Sequence, residues 1–421
     1  MFKKIITFKL KIATKILLWR KKPQIIAITG SAGKTTTKEI IRELLSSEFD
    51  VLASTEGYNT EIGAPLVLFG EKVPEKMNSV LAWTAIIWRC YLKAFFQKNL
   101  AEKVIIEMGA DHPGDISYLS RLFRPDKAIV LTVLPVHLES FMNIEAVAAE
   151  KAVLLQNIKK GGRAYLNADD PKVIEMRTPE KVNKMTFGTT PGADLVARNI
   201  KSELTGMSFE LWEGEQKQDL SVRLYGEQLI YPLLAAIAVA RSEHISYAKI
   251  KSMLKNVTPT KGRMNVIEGT RGSIIIDDSY NANPESVLRA LDFLGRQEGR
   301  KIALLGNMNE LGNYEREGHE RVGEAVAKNV DLLITVGQIA SKYISGAANA
   351  AAMSNEAIKN FQSAKEAGEF LSGELRRGDI ILVKGSQNKV RLENAIVKFM
   401  AHPEESDKVL VRQSEFWKNQ A

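Results

Sequence analysis

A strand that runs into a glycine-rich turn and then into a helix constrains this chain more than any other feature. The string is Ile25-Ile26-Ala27-Ile28-Thr29-Gly30-Ser31-Ala32-Gly33-Lys34-Thr35-Thr36-Thr37. In such a loop, backbone N–H groups and the helix N-terminus face phosphate oxygens, a lysine reaches the β- and γ-phosphates, and a threonine hydroxyl ligates Mg²⁺. Ile28 holds the place of the first glycine of the general pattern. We predict a nucleotide-phosphate site; the alternative is a turn that only caps a helix.

Length and the spacing of apolar runs indicate two α/β domains. At 421 residues the chain is too long for one ordinary core. Runs at 25–28, 104–106 and 128–131 alternate with helical patterns, as in a parallel sheet. A second series follows the turn formers at 258–262. Its predicted strands are 273–276, 302–305, 332–336 and 380–383.

These patterns predict three successive parts. They are a basic amphipathic helix at 1–22, a nucleotide-binding domain at 23–258 and a second α/β domain at 259–421. Within the first domain, residues 194–222 predict a small β insertion, and helical periodicity resumes at 231–242. An apolar insertion at 71–103 predicts either a helical hairpin packed on the domain or an element that contacts a membrane surface or a partner.

The excess of basic residues is concentrated at the N-terminus. The formal net charge is +8, and residues 1–22 contain eight Lys or Arg and no Asp or Glu. Because lysines interrupt the apolar residues of this arm, and because the apolar stretch at 77–88 is too short to cross a bilayer, we expect neither a signal peptide nor a transmembrane helix. We also expect no nucleic-acid partner.

Helical spacing divides the arm into two faces. Lys4, Lys11, Lys15 and Lys22 share one face, whereas Ile5, Ile12, Ile16 and Trp19 gather on another. The arm therefore either contacts the inner surface of the membrane or packs against the first domain. The only cysteine, Cys90, fits a reducing cytoplasm.

Five further motifs, in order along the chain, resemble those of the Mur ligase family. They are YNTEIGAPL at 58–66, IEMGA at 106–110 with PGDI at 113–116, DDSYNANP at 277–284, LGNMNELG at 305–312 with His319, and VKGS at 383–386. With the GxxGKTT form of the phosphate loop, they are most similar to the branch of the family that adds D-alanyl-D-alanine. The resemblance implies a P-loop parallel-sheet central ATPase domain followed by a Rossmann-like α/β C-terminal domain.

The resemblance also implies a site for ATP and Mg²⁺ in the first domain. Its nucleotide-binding loop would be Gly30, Ser31, Ala32, Gly33, Lys34, Thr35 and Thr36. Its metal ligands would be Thr35, Glu107, His137 and a carbamylated Lys151. Carbamylation turns a cation into an anion that can orient a metal. From the residues alone, a lone histidine such as His137 is more often structural, and Lys151 is otherwise a helix-face lysine.

Other residues receive roles by resemblance in the second domain and on the acceptor side. Arg263 would reach the γ-phosphate and, with Lys34, His137 and Lys151, act in catalysis. Asp278 would face the ribose, and Tyr280, Asn281 and Asn283 would border the nucleotide, although DDSYNANP is also an Asn-rich turn before a Pro-started helix. The implied substrate contacts are Asn59 and Thr60 for the acceptor peptide and His319 and Lys384 for the incoming dipeptide.

The implied activity is an ATP-dependent peptide ligase of peptidoglycan precursor synthesis. A carboxylate of a muramoyl-peptide acceptor would attack the γ-phosphate, and the amine of D-alanyl-D-alanine would displace phosphate from the acyl-phosphate. Positioning and charge neutralisation supply most of such catalysis. Two alternatives stay open: a related ligase with another acceptor, such as in poly-γ-glutamate synthesis or peptidoglycan modification, and a membrane-associated P-loop NTPase that joins nothing.

Three departures from the family pattern qualify this expectation. The phosphate loop begins 30 residues from Met1, so we expect the usual N-terminal UDP-sugar domain to be missing and the acceptor to be lipid-linked or truncated. Residues 226–229 and Pro232 replace polar residues that usually hold adenine. Gln387-Asn388 replaces the family's Arg-Gly, which affects recognition of the dipeptide carboxylate.

Overall fold

Two β-sheets organise the chain. The structure is a computed structural model that describes residues 2–54, 57–74, 76–135, 138–386, 390–413 and 417. Within these residues, nine strands form a first sheet in the order β2-β3-β1-β4-β5-β6-β7-β8-β9. The strands are β1 (Gln24–Thr29), β2 (Val51–Ala53), β3 (Lys103–Glu107), β4 (Lys127–Val130), β5 (Arg163–Asn167), β6 (Asn183–Gly188), β7 (Leu195–Glu203), β8 (Gly206–Glu213) and β9 (Gln216–Val222).

Helices cover both faces of the first sheet because its central strands are apolar on both sides. Ile26 and Ile28 of β1 share a core with α2 and α9, whereas Ile25 and Ala27 share one with the helices of the opposite face. The helices of this part are α1 (Phe2–Lys21), α2 (Lys34–Leu45), α3 (Gly63–Phe69), α4 (Val80–Phe96), α5 (Asp115–Phe123), α6 (Leu138–Phe141), α7 (Ile144–Gln156), α8 (Pro171–Ile174), α9 (Ile230–Ser242) and α10 (Tyr247–Met253).

The second sheet contains six strands within the described residues, in the order β10-β11-β15-β12-β13-β14. All neighbours are parallel except β10 and β11. The strands are β10 (Asn265–Glu268), β11 (Ile274–Asp278), β12 (Lys301–Gly306), β13 (Leu332–Val336), β14 (Ile358–Phe361) and β15 (Ile380–Lys384). The helices are α11 (Pro284–Gly295), α12 (Glu315–Asn329), α13 (Ser345–Ala350), α14 (Ala364–Glu374), α15 (Glu393–Ile396) and α16 (Ser406–Val409).

The predicted β insertion at 194–222 corresponds to β7, β8 and β9. These three strands form an antiparallel meander, but β7 also pairs in parallel with β6. The meander therefore extends the first sheet instead of standing apart from it. The pairing of β7 with β6 could not be predicted from the residues of the insertion, because it depends on where β6 ends.

The apolar insertion at 71–103 differs from the predicted hairpin. It contains one long helix, α4, whose packing partner is α1, far away in sequence. Arg20 Nη1 near the end of α1 donates to Ala94 O near the end of α4 at 2.5 Å. The hairpin prediction was wrong, since the helix pair is assembled from two separate segments. In the part of the chain described, every helix is too short or too polar to cross a bilayer.

Candidate active site

The phosphate loop lies where the strand order of the first sheet reverses. Strand β1 pairs with β3 on one side and β4 on the other, and ligands of open α/β sheets bind at such switch points. Gly30 has φ 153°, and a Cβ there would lie 2.9 Å from Leu131 Cβ. Gly33 has φ 83° and provides no side-chain cap for α2. The first N–H groups of α2 are therefore left for a ligand such as phosphate.

Lys34 and Thr35 begin α2 at the end of this loop. Lys34 Nζ donates to Gly30 O at 2.7 Å, so the amine is held against the loop. Burial, together with the Arg263 cation, lowers the pKa of Lys34, and Glu107 opposes this. Thr35 Oγ1 donates to Glu107 Oε2 at 3.1 Å. A hydroxyl and a carboxylate thus lie side by side, as hard oxygen ligands of one cation would.

Sequence reasoning missed Lys38, one turn after Lys34. Lys38 is 1% exposed, donates to Ser54 O at 2.6 Å and lies 3.1 Å from Glu107 Oε1. The lysine neutralises Glu107 from the side opposite Thr35. The spacing of four residues from Lys34, on a helix whose face is buried, was the available signal.

Lys151 is buried on α7, and its pKa is influenced by the charge of Lys34 in the phosphate loop. The Lys151 side chain is 2% exposed. Burial, with a contribution from Lys34, lowers the pKa of Lys151 to about 7, while Glu150 and Asp111 oppose the shift. Glu150 has a different role, because its carboxylate accepts hydrogen bonds from Gly114 N at 2.9 Å and Ile116 N at 2.8 Å at the start of α5.

Arg263 brings the second domain into the phosphate site. Its Nη2 donates to Thr35 Oγ1 at 3.1 Å, and its guanidinium stacks 4.1 Å from the Tyr280 ring centroid. Among the described residues, Arg263 Nε is buried and has no hydrogen-bond partner. A stacked guanidinium beside the loop, with an unsatisfied donor, fits an anionic ligand such as phosphate.

The acidic pair of the second domain is held by neighbouring protein groups. Lys384 Nζ donates to Asp278 Oδ2 at 2.5 Å and to Asn281 O at 3.1 Å, and Met264 N donates to Asp278 Oδ1 at 3.1 Å. Burial raises the pKa of Asp277 to about 6; this carboxylate accepts from Gly262 N and Ser279 N. The ribose contact of Asp278 and the dipeptide contact of Lys384 stay predictions.

His319 has a structural position that the resemblance did not indicate. The ring is 0% exposed. Its Nε2 accepts a hydrogen bond from Met308 N at 3.0 Å, and its Nδ1 lies 2.6 Å from Glu315 O, so the neutral ring donates there. Burial lowers the pKa of His319 and keeps this form. In this structure His319 therefore positions the loop that contains Met308. Its contact with the dipeptide stays a prediction.

Asn283 also serves the fold. It is the N-cap of α11, where its Oδ1 accepts from Ser286 N at 2.9 Å and its N donates to Ser286 Oγ at 3.1 Å. The Asn-rich turn before a Pro-started helix is thus present, with Pro284 in the first turn. The nucleotide contact of Asn283 stays a prediction.

The motif at 58–66, which is predicted to line the acceptor side, lies against the loop that follows β3. Gly109 N donates to Asn59 O at 3.2 Å, and a Cβ at Gly109 would lie 3.0 Å from Asn59 Nδ2. Thr60 is exposed and its Oγ1 accepts from Gly63 N at 3.2 Å. Gly109 follows Glu107 by two residues, so the contact with Asn59 places this motif near the end of β3, with Thr60 exposed.

Several predicted features fall outside this geometry. His137, Gln387 and Asn388 lie outside the described residues. In the described ranges, no three His, Cys, Asp or Glu side chains form a group that could hold a metal. Pro232 packs against the phosphate loop, since a Cβ at Gly33 would lie 3.0 Å from Pro232 Cγ.

Comparison with known proteins shows which family this chain resembles. The Mur ligase middle domain matches residues 28–240, and the Mur ligase glutamate ligase domain matches residues 262–387. The chain is 27% identical over 387 residues to the UDP-N-acetylmuramoyl-tripeptide--D-alanyl-D-alanine ligase of Haemophilus influenzae, covering 89% of this chain and 76% of that protein. It is 31% identical to the enzyme of the same name from Mycobacterium bovis, covering 86% and 70%.

The fold agrees with these sequence matches. The structure of MurF ligase from Thermotoga maritima in complex with ADP superposes with a TM-score of 0.78 at 26% identity, covering 96% of this chain and 84% of that one. The predicted α/β fold, a P-loop ATPase-like domain followed by a Rossmann-like domain, is confirmed. Because the two family domains match successive parts that together span most of the chain, this chain belongs to the Mur ligase family.

Proposed function

We propose that this protein is an ATP-dependent peptide ligase that joins D-alanyl-D-alanine to the carboxylate of a muramoyl tripeptide in peptidoglycan precursor synthesis. The relatives named above carry this activity in their names. The observation that carries the proposal is the hydrogen bond from Arg263 Nη2 to Thr35 Oγ1 at 3.1 Å. This hydrogen bond builds one phosphate site from both domains. A P-loop NTPase that joins nothing would not need a second domain at its phosphate site.

The residues of the site supply positioning and positive charge. The N-terminus of α2 and Lys34 bind the phosphate chain of ATP, and Arg263 meets the charge that develops on the γ-phosphate as the acceptor carboxylate attacks. ADP leaves, and the dipeptide amine then displaces phosphate from the acyl-phosphate. Asn59 and Thr60 line the acceptor side, and Lys384 the dipeptide side.

Mg²⁺ is part of the proposal because the oxygen donors fit it. Thr35 Oγ1 and Glu107 Oε2 lie 3.1 Å apart beside the loop. The few protein donors here leave most positions to phosphate oxygens and water, as Mg²⁺ prefers. When bound, the ion would neutralise charge on the phosphates. His137 is proposed as a further ligand.

We include a carbamate on Lys151 for a physical reason. A neutral amine attacks CO₂, and a pKa of about 7 leaves roughly half of the Lys151 amine neutral at pH 7, against fewer than about one in a thousand for an ordinary lysine. The product anion would be attracted to the nearby Lys34 cation. A cytoplasmic location belongs to the same proposal, since ATP is a substrate and Cys90 is a buried free thiol.

The test is product identification. The protein is incubated with ATP, Mg²⁺, D-alanyl-D-alanine and a UDP-linked or lipid-linked muramoyl tripeptide, and products are identified by mass. The expected product has the mass of the acceptor plus the dipeptide minus water, with one ADP per bond formed. L-alanyl-L-alanine is the matched control for the dipeptide. ATP hydrolysis that never yields a joined product with any acceptor would favour the NTPase alternative.

A further inference from the structure

Exposed apolar side chains are concentrated on one surface of the first domain. Of the eleven large hydrophobic side chains that are exposed in the described part of the chain, only Met142 lies elsewhere. The other ten are Ile5, Phe8, Trp19, Met77, Val80, Leu81, Trp88, Leu92, Phe95 and Phe96. They belong to α1, to α4 and to the turn before α4, and we name them the α1–α4 surface. Scattered exposed hydrophobics need no explanation, but a contiguous patch marks an interaction site.

Helix α1 is apolar on two opposite faces. Its inner face, which includes Leu10, Ala13 and Leu17, is fully buried against the domain. Its outer stripe contains Ile5, Phe8 and Trp19, which are 50%, 59% and 76% exposed. Packing on the domain explains the first face only. The arm therefore packs against the first domain through its inner face, while its outer stripe is exposed. A membrane contact of that stripe stays a prediction.

Helix α4 continues the outer stripe. Trp83, Ile86 and Cys90 face inward, whereas Leu81, Trp88 and Phe96 are 85%, 65% and 75% exposed. A groove of about 610 Å³ lies between the helices, lined by Ile5 and Lys9 of α1 and by Trp88, Leu92, Phe95 and Phe96 of α4. The two helices thus share one largely apolar groove that contains several aromatic rings.

The charge around this surface is positive. Neither α1 nor α4 contains an acidic residue. Lys4, Lys9, Lys15 and Lys22 are exposed, and within the described residues none of them forms an ion pair. The nearby acid Glu71 is paired with Arg89 and Lys93, each at 2.8 Å. A second groove of about 410 Å³ continues the basic edge, with Lys11, Lys15 and Arg121 in its lining.

We propose that the α1–α4 surface docks this protein on an anionic lipid bilayer, with both helices lying in the plane of the interface. Aromatic and aliphatic side chains flanked by lysines are the composition of interfacial helices, and their basic residues are attracted to anionic headgroups. Neither helix spans the bilayer. The inference goes beyond the ligase function and does not rest on it, because binding is measured without substrates.

Docking would bring the acceptor side of the site close to the lipid. Lys3 Nζ near the start of α1 lies 2.7 Å from Glu61 Oε1, next to Thr60 in the acceptor motif. The second groove also includes Gly114, from the motif that follows β3. The docked helix therefore begins beside the open, acceptor side of the proposed active site.

The test is co-sedimentation of the full chain with phosphatidylcholine vesicles that contain or lack phosphatidylglycerol. One variant replaces exposed rings by serine, at Trp19, Trp88, Phe95 and Phe96. A second replaces Lys4, Lys9, Lys15 and Lys22 by glutamate. We expect the wild type to bind the anionic vesicles and each variant to bind about 100-fold more weakly, since every basic residue and buried ring contributes. Thermal unfolding of both variants should match the wild type, because all eight side chains are exposed.

Matched controls separate docking from general effects. Lys184, Lys251, Lys255 and Lys365 are exposed on other surfaces, and their joint replacement by glutamate makes the same change of net charge. Met142→Ser removes the exposed apolar side chain outside the α1–α4 surface. Both controls should bind as the wild type does. Equal loss in the charge control, or unchanged binding of the two surface variants, would overturn the proposal.

A different occupant would also overturn it. If light scattering shows a dimer that the serine variant converts to a monomer, and if the wild type does not bind anionic vesicles, a second copy of the chain covers this surface. If the protein binds pure phosphatidylcholine vesicles as strongly as it binds the anionic vesicles, the lysines do not have the role proposed here.

Discussion

The two halves of the candidate active site differ in how far the protein satisfies its own charged groups. On the phosphate side, burial lowers the pKa of Lys34 and of Lys151, with contributions from the Arg263 cation at Lys34 and from the Lys34 cation at Lys151. Arg263 Nε has no hydrogen-bond partner among the described residues. The other half is formed by second-domain residues that the resemblance places around the ribose and the dipeptide, and we name it the dipeptide side. There, Asp278 and Lys384 pair with each other, and both nitrogens of His319 are used within the protein.

This difference separates residues that await a ligand from residues that hold the site together. Cations gathered without enough anions cost stability unless a ligand supplies negative charge, so the phosphate side is arranged for function. Groups that pair among themselves contribute to the folded state whether or not a ligand is bound. Substitutions on the phosphate side should therefore reduce turnover with the fold retained, whereas those on the dipeptide side should first reduce stability.

The largest effect is expected for Lys34→Ala. Turnover of ATP should fall by about 10³-fold or more, because the variant loses the cation nearest the phosphate chain in the transition state. The unfolding temperature should stay close to that of the wild type. Phosphate release gives the first quantity and thermal unfolding the second, with the exposed Lys184→Ala as control. Normal turnover in Lys34→Ala would remove the phosphate-loop assignment.

Lys151→Ala should be nearly inactive, by about 10²-fold or more, if a carbamate anion stands at this position. Added formate or acetate should restore part of the turnover, because a small acid can replace the carbamate oxygens. Methylammonium is the matched control: it restores a cation of similar size and should not help. Rescue by methylammonium alone would mean that Lys151 acts as a cation, and the carbamate would be wrong.

The same lysine predicts a pH dependence in the wild type. Its pKa of about 7 means that the amine becomes protonated as the pH falls below neutrality, and a protonated amine cannot react with CO₂. Protein depleted of CO₂ should regain turnover on addition of bicarbonate at pH 8 but much less at pH 6. Turnover that does not respond to bicarbonate at either pH would contradict the prediction.

On the dipeptide side, His319→Ala should lower the free energy of unfolding by about 3 kcal/mol. The change leaves Met308 N without its acceptor and opens a cavity where the ring is 0% exposed. His402→Ala, at an exposed histidine, is the control and should change stability by less than about 0.5 kcal/mol. If His319→Ala instead keeps its stability and loses affinity for D-alanyl-D-alanine, His319 contacts substrate and the contrast between the two halves fails.

Sequence patterns predicted the phosphate side better than the dipeptide side for a physical reason. The loop from Gly30 to Thr36 is local, so its chemistry follows from neighbouring residues. Apolar runs likewise predicted β13 at its observed bounds and β1 within one residue at each end. The role of His319 depends on Met308, eleven residues away, and the partner of α4 is α1, so neither could be derived from local spacing.

Strands with weak apolar runs were also missed. Strand β10 has partly exposed residues and, in the described part of the chain, pairs in the sheet with β11 alone, whereas β14 lies at the opposite edge of the second sheet. Edge strands need fewer buried side chains, so their sequence signal is weak. Lys38 was missed because its contact with Glu107 joins α2 to β3 across 69 positions of the chain.

The smallest effect is expected at Asn283, where the comparison can be sharpened. Asn283→Ala removes the acceptor of Ser286 N and should lower the free energy of unfolding by about 1 kcal/mol, the usual contribution of an N-cap. Asn283→Ser keeps a capping oxygen, so its stability should return to nearly that of the wild type.

Titration calorimetry with ADP distinguishes capping from nucleotide binding. If Asn283 only caps α11, both variants bind ADP as the wild type does. If Asn283→Ser is stable but binds ADP at least about tenfold more weakly, its amide contacts the nucleotide, as the family resemblance implies, and the dipeptide side also contains a residue arranged for a ligand.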